Sequence, residues 1–270
     1  MQRGWTPTGA QQPPAFASEM LCAVLLNAAV AGLSSSAPSI ADYPQLLDRS
    51  WLSELVSAAE ISGASDEVPP MPHDFTATLL LLQSQGGTNT TLIGDAYVSG
   101  SQGSVRMGGL YHVEANGGES TIGVNIILNS ATNTNTMILN DPVSGNPKCY
   151  ITRQNNVTET AAAPPGIPLG FSYLNTVLVR GYLSRSPGKT SFLFIDAFSS
   201  VPVSIVDTFD QSDDIQVGLY GNVVGGAVPA HLVSPPEGME CRLAPSDVLP
   251  GVEAIHEIAA RVSALARVQV

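Results

Sequence analysis

The chain has 270 residues, of which 44% are apolar and only 13% are charged. Acidic residues outnumber basic ones 23 to 11, which gives a formal net charge of −12 at pH 7. This balance disfavours nucleic-acid binding and docking on an anionic membrane, because both need a basic surface. It fits a soluble secreted protein or a protein that binds neutral or cationic ligands.

The N-terminal part of the sequence has the layout of a targeting segment. Residues 20–33, MLCAVLLNAAVAGL, are apolar and are followed by the small residues SSSAPS. This order is typical of a secretory signal, and the run is shorter than the roughly 20 apolar residues of a transmembrane helix. We therefore predict a leader over residues 1–37 and a secreted protein without a transmembrane segment. An organelle transit peptide and a buried helix are the alternatives, and Met20 competes with Met1 as the start.

The cysteine count depends on that leader. Its removal takes Cys22 and leaves Cys149 and Cys241. In an oxidising compartment the simplest prediction is one disulfide between these two, worth roughly 4–5 kcal/mol in the chain-entropy model. Two separate buried thiols are the alternative for a cytosolic chain. The sequons at Asn89 and Asn156 are candidate glycosylation sites.

Helical periodicity flanks the middle of the chain. Apolar residues recur every four positions across residues 43–64, which predicts an amphipathic helix that packs on the following domain. Residues 252–267 also carry apolar residues at helical spacing. We assign residues 38–71 to a helix and linker, and residues 243–270 to a C-terminal helical tail.

Residues 72–242 have the character of strands. Segments such as TIGVNIILN, residues 121–129, alternate between apolar and polar side chains and are bounded by Gly, Pro, Asn or Ser turns. About eight to ten such strands at short spacing predict an antiparallel all-β domain. Pro187 and Gly188 predict a hairpin between two strands rather than a phosphate-binding loop, because the first glycine of that loop is missing.

The acidic run DTFDQSDD is the one candidate for a metal site. Four carboxylates lie within eight residues, at Asp207, Asp210, Asp213 and Asp214. Calcium binds six to eight oxygen ligands, so calcium is the cofactor that this run suggests. A solvated turn before the next strand is the alternative, and no other cofactor is expected.

A further carboxylate interrupts an apolar strand. Asp196 alternates with Phe192 and Phe194 in FLFIDAF. If this face is inward, Asp196 needs a partner, and Arg180 on the preceding predicted strand is within cross-strand reach. We predict a structural pair between them, with a ligand contact as the second reading. Catalysis there needs a nucleophile or second acid that the sequence does not identify, so we predict no enzymatic activity.

The order of several features resembles the ependymin-related secreted glycoproteins. These features are HDFTATL (73–79), DAYVSGSQGSVRM (95–107), Cys149, Gly166-Ile167-Pro168 ahead of VLVRGY (177–182), and Cys241 followed by Pro245. The resemblance covers about residues 72–242. The sequence departs from the family at Val98, where the family has an aspartate, and at AFSSVPV (197–203), where the family has a tryptophan region.

The resemblance implies a fold and a function. The family's fold is similar to the half-open β-barrel of the periplasmic lipoprotein carriers of the Lol system. It implies a strongly curved antiparallel sheet with an apolar concavity for a lipid or other hydrophobic ligand. It also implies that Cys149 and Cys241 pair, and that calcium binds.

We therefore predict a secreted, non-enzymatic protein that binds a hydrophobic ligand in the concavity of a curved β-sheet. Strand alternation selects five candidates for the lining: Phe75, Leu79, Ile126, Phe192 and Phe194. One of the flanking helices or the ligand itself is expected to fill the concavity. The alternatives are an adhesive extracellular glycoprotein with a self-filled core, and a hydrolase that uses Asp196. The sequence leaves a homodimer open.

Overall fold

A computed structural model describes residues 68–69, 71–115, 117–140, 145–153, 166–174 and 177–243. The predicted leader and both predicted flanking helices lie outside these ranges. Among the described residues, no helix has the length and apolar character that crossing a membrane requires.

Twelve strands lie within the described ranges, and all of them belong to one sheet. They are β1 (Asp74–Gln85), β2 (Thr88–Ser99), β3 (Ser104–Ala115), β4 (Gly118–Asn129), β5 (Thr134–Asn140), β6 (Pro147–Arg153), β7 (Ile167–Leu174), β8 (Val177–Ser186), β9 (Lys189–Asp196), β10 (Pro202–Phe209), β11 (Ile215–Gly225) and β12 (Cys241–Leu243). The predicted hairpin at Pro187–Gly188 joins β8 to β9, with Gly188 at φ +78°.

The strand order is β12-β6-β5-β4-β3-β2-β1-β11-β10-β9-β8-β7. Each strand from β1 to β6 pairs antiparallel with the next strand along the chain, and β11 pairs with the other edge of β1. Within the described residues only the β12–β6 pair is parallel. The sheet is therefore a single curved, mainly antiparallel sheet. Its edge strands β7 and β12 do not pair, so it does not close into a barrel. The predicted all-β, curved antiparallel class is confirmed at this level.

Both faces of the sheet carry buried apolar side chains. We call the face with the larger cluster the inner face; its buried residues come from β1–β5 and β8–β11. The outer cluster comes from β1 and β7–β11. One half of the sheet is thus apolar on both faces, which explains why the runs LLLL in β1 and FLFI in β9 do not alternate.

A pair of glycines lets β2 and β3 approach each other closely on the inner face. Gly94 lies opposite Gly109. A Cβ added to Gly94 would lie 2.7 Å from the Cα of Gly109 and collide with the carbonyl oxygen of Gly108. A Cβ added to Gly109 would lie 2.6 Å from the Cα of Gly94 and collide with the carbonyl oxygen of Ile93. Glycine inside a strand allows such a close approach, because no side chain has to fit between the two backbones.

Residues 226–240 form a strap from β11, near the centre of the sheet, to β12 at its edge. Gln102 Nε2 donates to the carbonyl oxygen of Val228 at 3.0 Å. Arg106 Nη1 donates to the carbonyl oxygen of Leu232 at 3.2 Å, and its Nη2 donates to Asn125 Oδ1 at 2.7 Å. These bonds fix the strap across neighbouring strands of the sheet.

A disulfide fixes the far end of the strap. Cys149 in β6 and Cys241 in β12 lie opposite each other in the parallel pair, with Cα atoms 4.5 Å apart, and their sulfurs are bonded. Met239 packs with Ile127, Ile138 and both cysteines in a small apolar cluster. The predicted disulfide is confirmed, and it joins the middle of the chain to the last strand of the sheet.

Candidate ligand-binding face

The inner face is built from apolar rows that run across the strands. Side chains that lie directly opposite in register share a face, so the pairing of β1–β5 assigns each row. One row contains Ala77, Ala96, Met107, Ile126 and Met137. All five are buried, and Ile126 has no exposed surface. The rows therefore form a continuous apolar surface across half of the sheet.

A row of polar side chains crosses the inner face of the other half of the sheet and extends to β1 and β2. The polar row consists of Ser184, Ser191, Asp207, Gln216, Gln83 and Thr90, each directly opposite the next across β8, β9, β10, β11, β1 and β2. Five of these residues are buried, with Asp207 and Gln216 each only 1% exposed. Every member lies within two residues of a strand end, next to the hairpins that join β1 to β2, β8 to β9 and β10 to β11.

The polar row is held by specific contacts. Lys189 Nζ lies 3.0 Å from Asp207 Oδ2, so the buried carboxylate has a cationic partner. Thr90 Oγ1 donates to Gln83 Oε1 at 3.2 Å, and Gln83 Nε2 donates to Gln85 Oε1 at 2.7 Å. One cation and one anion balance each other, so the row and its partner are electrically neutral but rich in hydrogen-bonding groups.

We expect Lys189→Met to lower the free energy of unfolding by about 3 kcal/mol, because it leaves the buried Asp207 carboxylate without its charge partner. Urea denaturation followed by circular dichroism measures this loss. The matched control is Lys148→Met, which removes the exposed lysine of β6. Equal stabilities of the two variants would contradict a stabilising role for the buried pair.

Tyr111 extends the polar row into the apolar surface. It lies in β3 opposite Leu92, one row deeper than Thr90, and its side chain is 1% exposed. Burial raises the pKa of the Tyr111 hydroxyl to about 12, while the hydrogen bond with Thr90 lowers it. Burial prevails because the phenolate loses more hydration than one hydroxyl contact restores. Tyr111 is therefore neutral at physiological pH and hydrogen-bonds as a hydroxyl.

The raised pKa of Tyr111 predicts a loss of stability at high pH. An unfolded tyrosine ionises near pH 10, so between pH 10 and about 12 the unfolded state binds fewer protons than the folded state. The free energy of unfolding then falls by at most about 1.4 kcal/mol per pH unit from this group. We expect Tyr111→Phe to lack that contribution in denaturation series from pH 9 to 12. Tyr173→Phe, at an exposed position, is the control. If the free energy of unfolding of Tyr111→Phe falls with pH as steeply as that of the wild type, the raised pKa of Tyr111 is contradicted.

The five predicted lining residues lie on two different faces. Phe75, Leu79 and Ile126 belong to the inner cluster. Phe192 and Phe194 belong to the outer cluster, because Leu193 and Ile195 are the β9 residues that face inward. The structure thus brings three of the five together and separates the other two from them.

The predicted pair between Asp196 and Arg180 is wrong. Arg180 lies opposite Ile195, whereas Asp196 lies opposite Val179, so the two side chains project from opposite faces. Asp196 Oδ1 instead accepts bonds from the Phe198 N–H at 2.9 Å, the Ser199 N–H at 2.7 Å and Ser199 Oγ at 2.8 Å. Burial raises the pKa of Asp196, but these bonds outweigh it and the net shift is downward. The carboxylate thus fixes the turn that follows β9.

The four aspartates of the acidic run do not converge. Asp207 is buried beside Lys189, Asp210 and Asp213 are exposed in the turn after β10, and Asp214 Oδ1 accepts from the Gly86 N–H at 2.9 Å. In the described part of the chain, no three His, Cys, Asp or Glu side chains lie close enough together to hold a metal ion. The calcium prediction therefore gains no support from this geometry.

The two predicted glycosylation sites differ in what the structure describes. Asn89 is half-buried near the start of β2, opposite Glu114 of β3. Asn156 lies outside the described residues. Glycosylation at either site remains a prediction.

No family model matches the chain, and no curated protein matches its sequence. The structure is similar to an uncharacterized conserved protein from Thermus thermophilus, at 11% identity over 71% of this chain and 98% of that chain, with a TM-score of 0.40. It is also similar to a DUF1329 family protein from Desulfovibrio piger (6% identity, 67% and 95% of the two chains, TM-score 0.27). A LolA superfamily protein from Nitrosomonas europaea gives 10% identity over 68% and 97% of the two chains, with a TM-score of 0.21.

The resemblance to the ependymin-related proteins remains a prediction.

Proposed function

We propose that the protein binds a hydrophobic, lipid-like ligand on its inner face and carries it without chemical change. The observation that supports this proposal is the apolar inner face of a curved, open sheet, with one row of polar side chains across β8–β11, β1 and β2. The apolar rows offer a surface that acyl or isoprenoid chains could contact, and the neutral polar row offers hydrogen-bonding groups to a polar head group. The disulfide favours an oxidising compartment, so we place the protein outside the cell or in an organelle lumen.

The burial of the inner face favours a second candidate function. Phe75 and Ile126 have no exposed surface, because atoms of the chain itself cover them. Such coverage is expected for a structural or adhesive protein with a self-filled core. Under the carrier proposal, a ligand replaces some of these contacts when it binds.

Binding of the neutral probe diphenylhexatriene separates the two candidates, because its fluorescence rises in an apolar site. Ile126→Ala and Ile127→Ala form a matched pair: both residues are buried in β4, but Ile126 faces inward and Ile127 belongs to the small cluster around Cys149 on the other face. Each truncation costs about 2–5 kcal/mol of stability. We expect only Ile126→Ala to weaken probe binding, by raising the dissociation constant of the probe about tenfold. Absence of probe binding to the wild type would favour the self-filled protein.

A further inference from the structure

Three exposed aromatic side chains lie at one corner of the sheet. Phe198 is 86% exposed, Tyr173 58% and Phe171 50%. Tyr173 lies opposite Leu178 of β8, and the Ala197 N–H donates to the carbonyl oxygen of Leu178 at 2.9 Å, which places the turn bearing Phe198 beside β7 and β8. We call Phe171, Tyr173 and Phe198 the aromatic corner.

The turn that presents Phe198 is rigidly built. Asp196 accepts two backbone N–H bonds and one hydroxyl bond within it. The Asp196 N–H donates to the carbonyl oxygen of Val201 at 2.9 Å, and the Ser200 N–H donates back to the carbonyl oxygen of Asp196 at 3.0 Å. Ser200 takes a φ of +58°, a conformation that a non-glycine residue adopts at an energetic cost. The exposure of Phe198 is therefore a feature of a fixed turn.

The aromatic corner is electrically neutral in an acidic protein. β7 contains no charged residue, and the two charged side chains of the neighbouring positions, Arg180 and Asp196, have opposite signs. A net charge of −12 on the whole chain opposes an anionic lipid surface. A zwitterionic lipid surface has no such repulsion, and exposed Phe and Tyr side chains partition into its interface.

The aromatic corner connects directly to the inner face. The Arg180 guanidinium lies 5.3 Å from the ring centre of Phe171 and 5.8 Å from that of Tyr182. Tyr182 is buried in the inner cluster. One cation thus stacks between an exposed ring at the edge strand and a buried ring of the proposed ligand-binding face.

We propose that the aromatic corner docks the protein on a zwitterionic phospholipid surface. Phe198, Tyr173 and Phe171 insert into the interfacial layer, and β7 lies against it. This places the edge of the inner face at the membrane, where a lipid-like ligand enters or leaves. The docking itself does not require the proposed ligand binding.

Flotation of the purified full-length protein with phosphatidylcholine vesicles tests the docking. We expect Phe198→Ala to lower the partition coefficient about tenfold, and Phe198→Ala combined with Tyr173→Ala to abolish flotation. Leu110→Ala is the matched control, because Leu110 is 60% exposed in the central strand β3, away from the corner. It should float like the wild type. Added phosphatidylserine should weaken binding, because the protein is acidic.

Three outcomes overturn the docking proposal. They are a wild type that does not float, an equal effect of Phe198→Ala and Leu110→Ala, and stronger binding to phosphatidylserine vesicles. A concentration-dependent dimer that Phe198→Ala dissociates would instead assign the corner to a second copy of the chain. Diphenylhexatriene binding, measured on the same variants, reports on the proposed function separately, since Phe198 lies outside the inner cluster.

Discussion

Gly94→Ala is expected to unfold the domain or to lower its free energy of unfolding by more than about 4 kcal/mol. The added Cβ would collide with the Gly108 carbonyl oxygen and lie 2.7 Å from the Gly109 Cα, and backbone atoms of a paired strand cannot move aside as a flexible side chain can. Separating β2 from β3 would also break pairing at the centre of the sheet. Thermal and urea denaturation followed by circular dichroism measure the loss.

Gly118→Ala is the matched control for this prediction. Gly118 also lies in a strand, at the start of β4, and the nearest atom to an added Cβ is the Ala115 carbonyl oxygen at 3.6 Å, which is ordinary contact. We expect its stability to stay within about 0.5 kcal/mol of wild type. A Gly94→Ala variant with wild-type stability would show that β2 and β3 do not need their close approach.

Replacing both Cys149 and Cys241 with serine should lower the free energy of unfolding by roughly 4 kcal/mol. The disulfide joins residues 92 positions apart, so its loss restores a large loop-closure entropy to the unfolded chain. The folded state is also affected, because the double substitution removes the covalent bond between β6 and β12, and β12 is only three residues long. Hydrogen exchange should therefore rise first in β12 and β6.

The reduced wild-type protein is the control for the double serine variant. Both lack the bond, so both should unfold at the same denaturant concentration, well below that of the oxidised protein. If oxidised and reduced wild type unfold together, the disulfide does not stabilise this fold.

The sequence identified the class of the fold, because that information is local. Alternation and turn residues such as Pro187 and Gly188 mark strands and hairpins without knowledge of distant partners. Cysteine counting found the disulfide for a similar reason, since only two cysteines follow the predicted leader. The parallel position of β12 beside β6 had no local signal, because β12 is short and reaches its partner through the strap.

The faces of the strands were harder to assign. Every β9 residue from Ser191 to Ile195 is buried, so alternation cannot tell which side of the sheet Phe192 and Phe194 occupy. The wrong pairing of Asp196 with Arg180 follows from the same ambiguity, since a shift of one residue in register changes the face.

The polar row was missed for a different reason. Gln83 and Gln216 are separated by 133 positions in the sequence and meet only through the pairing of β1 with β11. Gln83 is the first of three polar residues at the end of β1, and Gln216 is the second residue of β11; a solvent-exposed side chain is the usual expectation at such strand ends. Their alignment becomes visible only when the register of six strands is known.

The proposed carrier function depends on binding of a hydrophobic ligand to the inner face. Native mass spectrometry of the protein expressed in eukaryotic cells and purified with its disulfide intact, followed by solvent extraction, tests this binding. The carrier proposal predicts discrete adducts on the disulfide-bonded protein that extract as lipid, and weaker adducts on Ile126→Ala than on Ile127→Ala. A clean mass for the ligand-free protein, together with no uptake of added lipid, would contradict it.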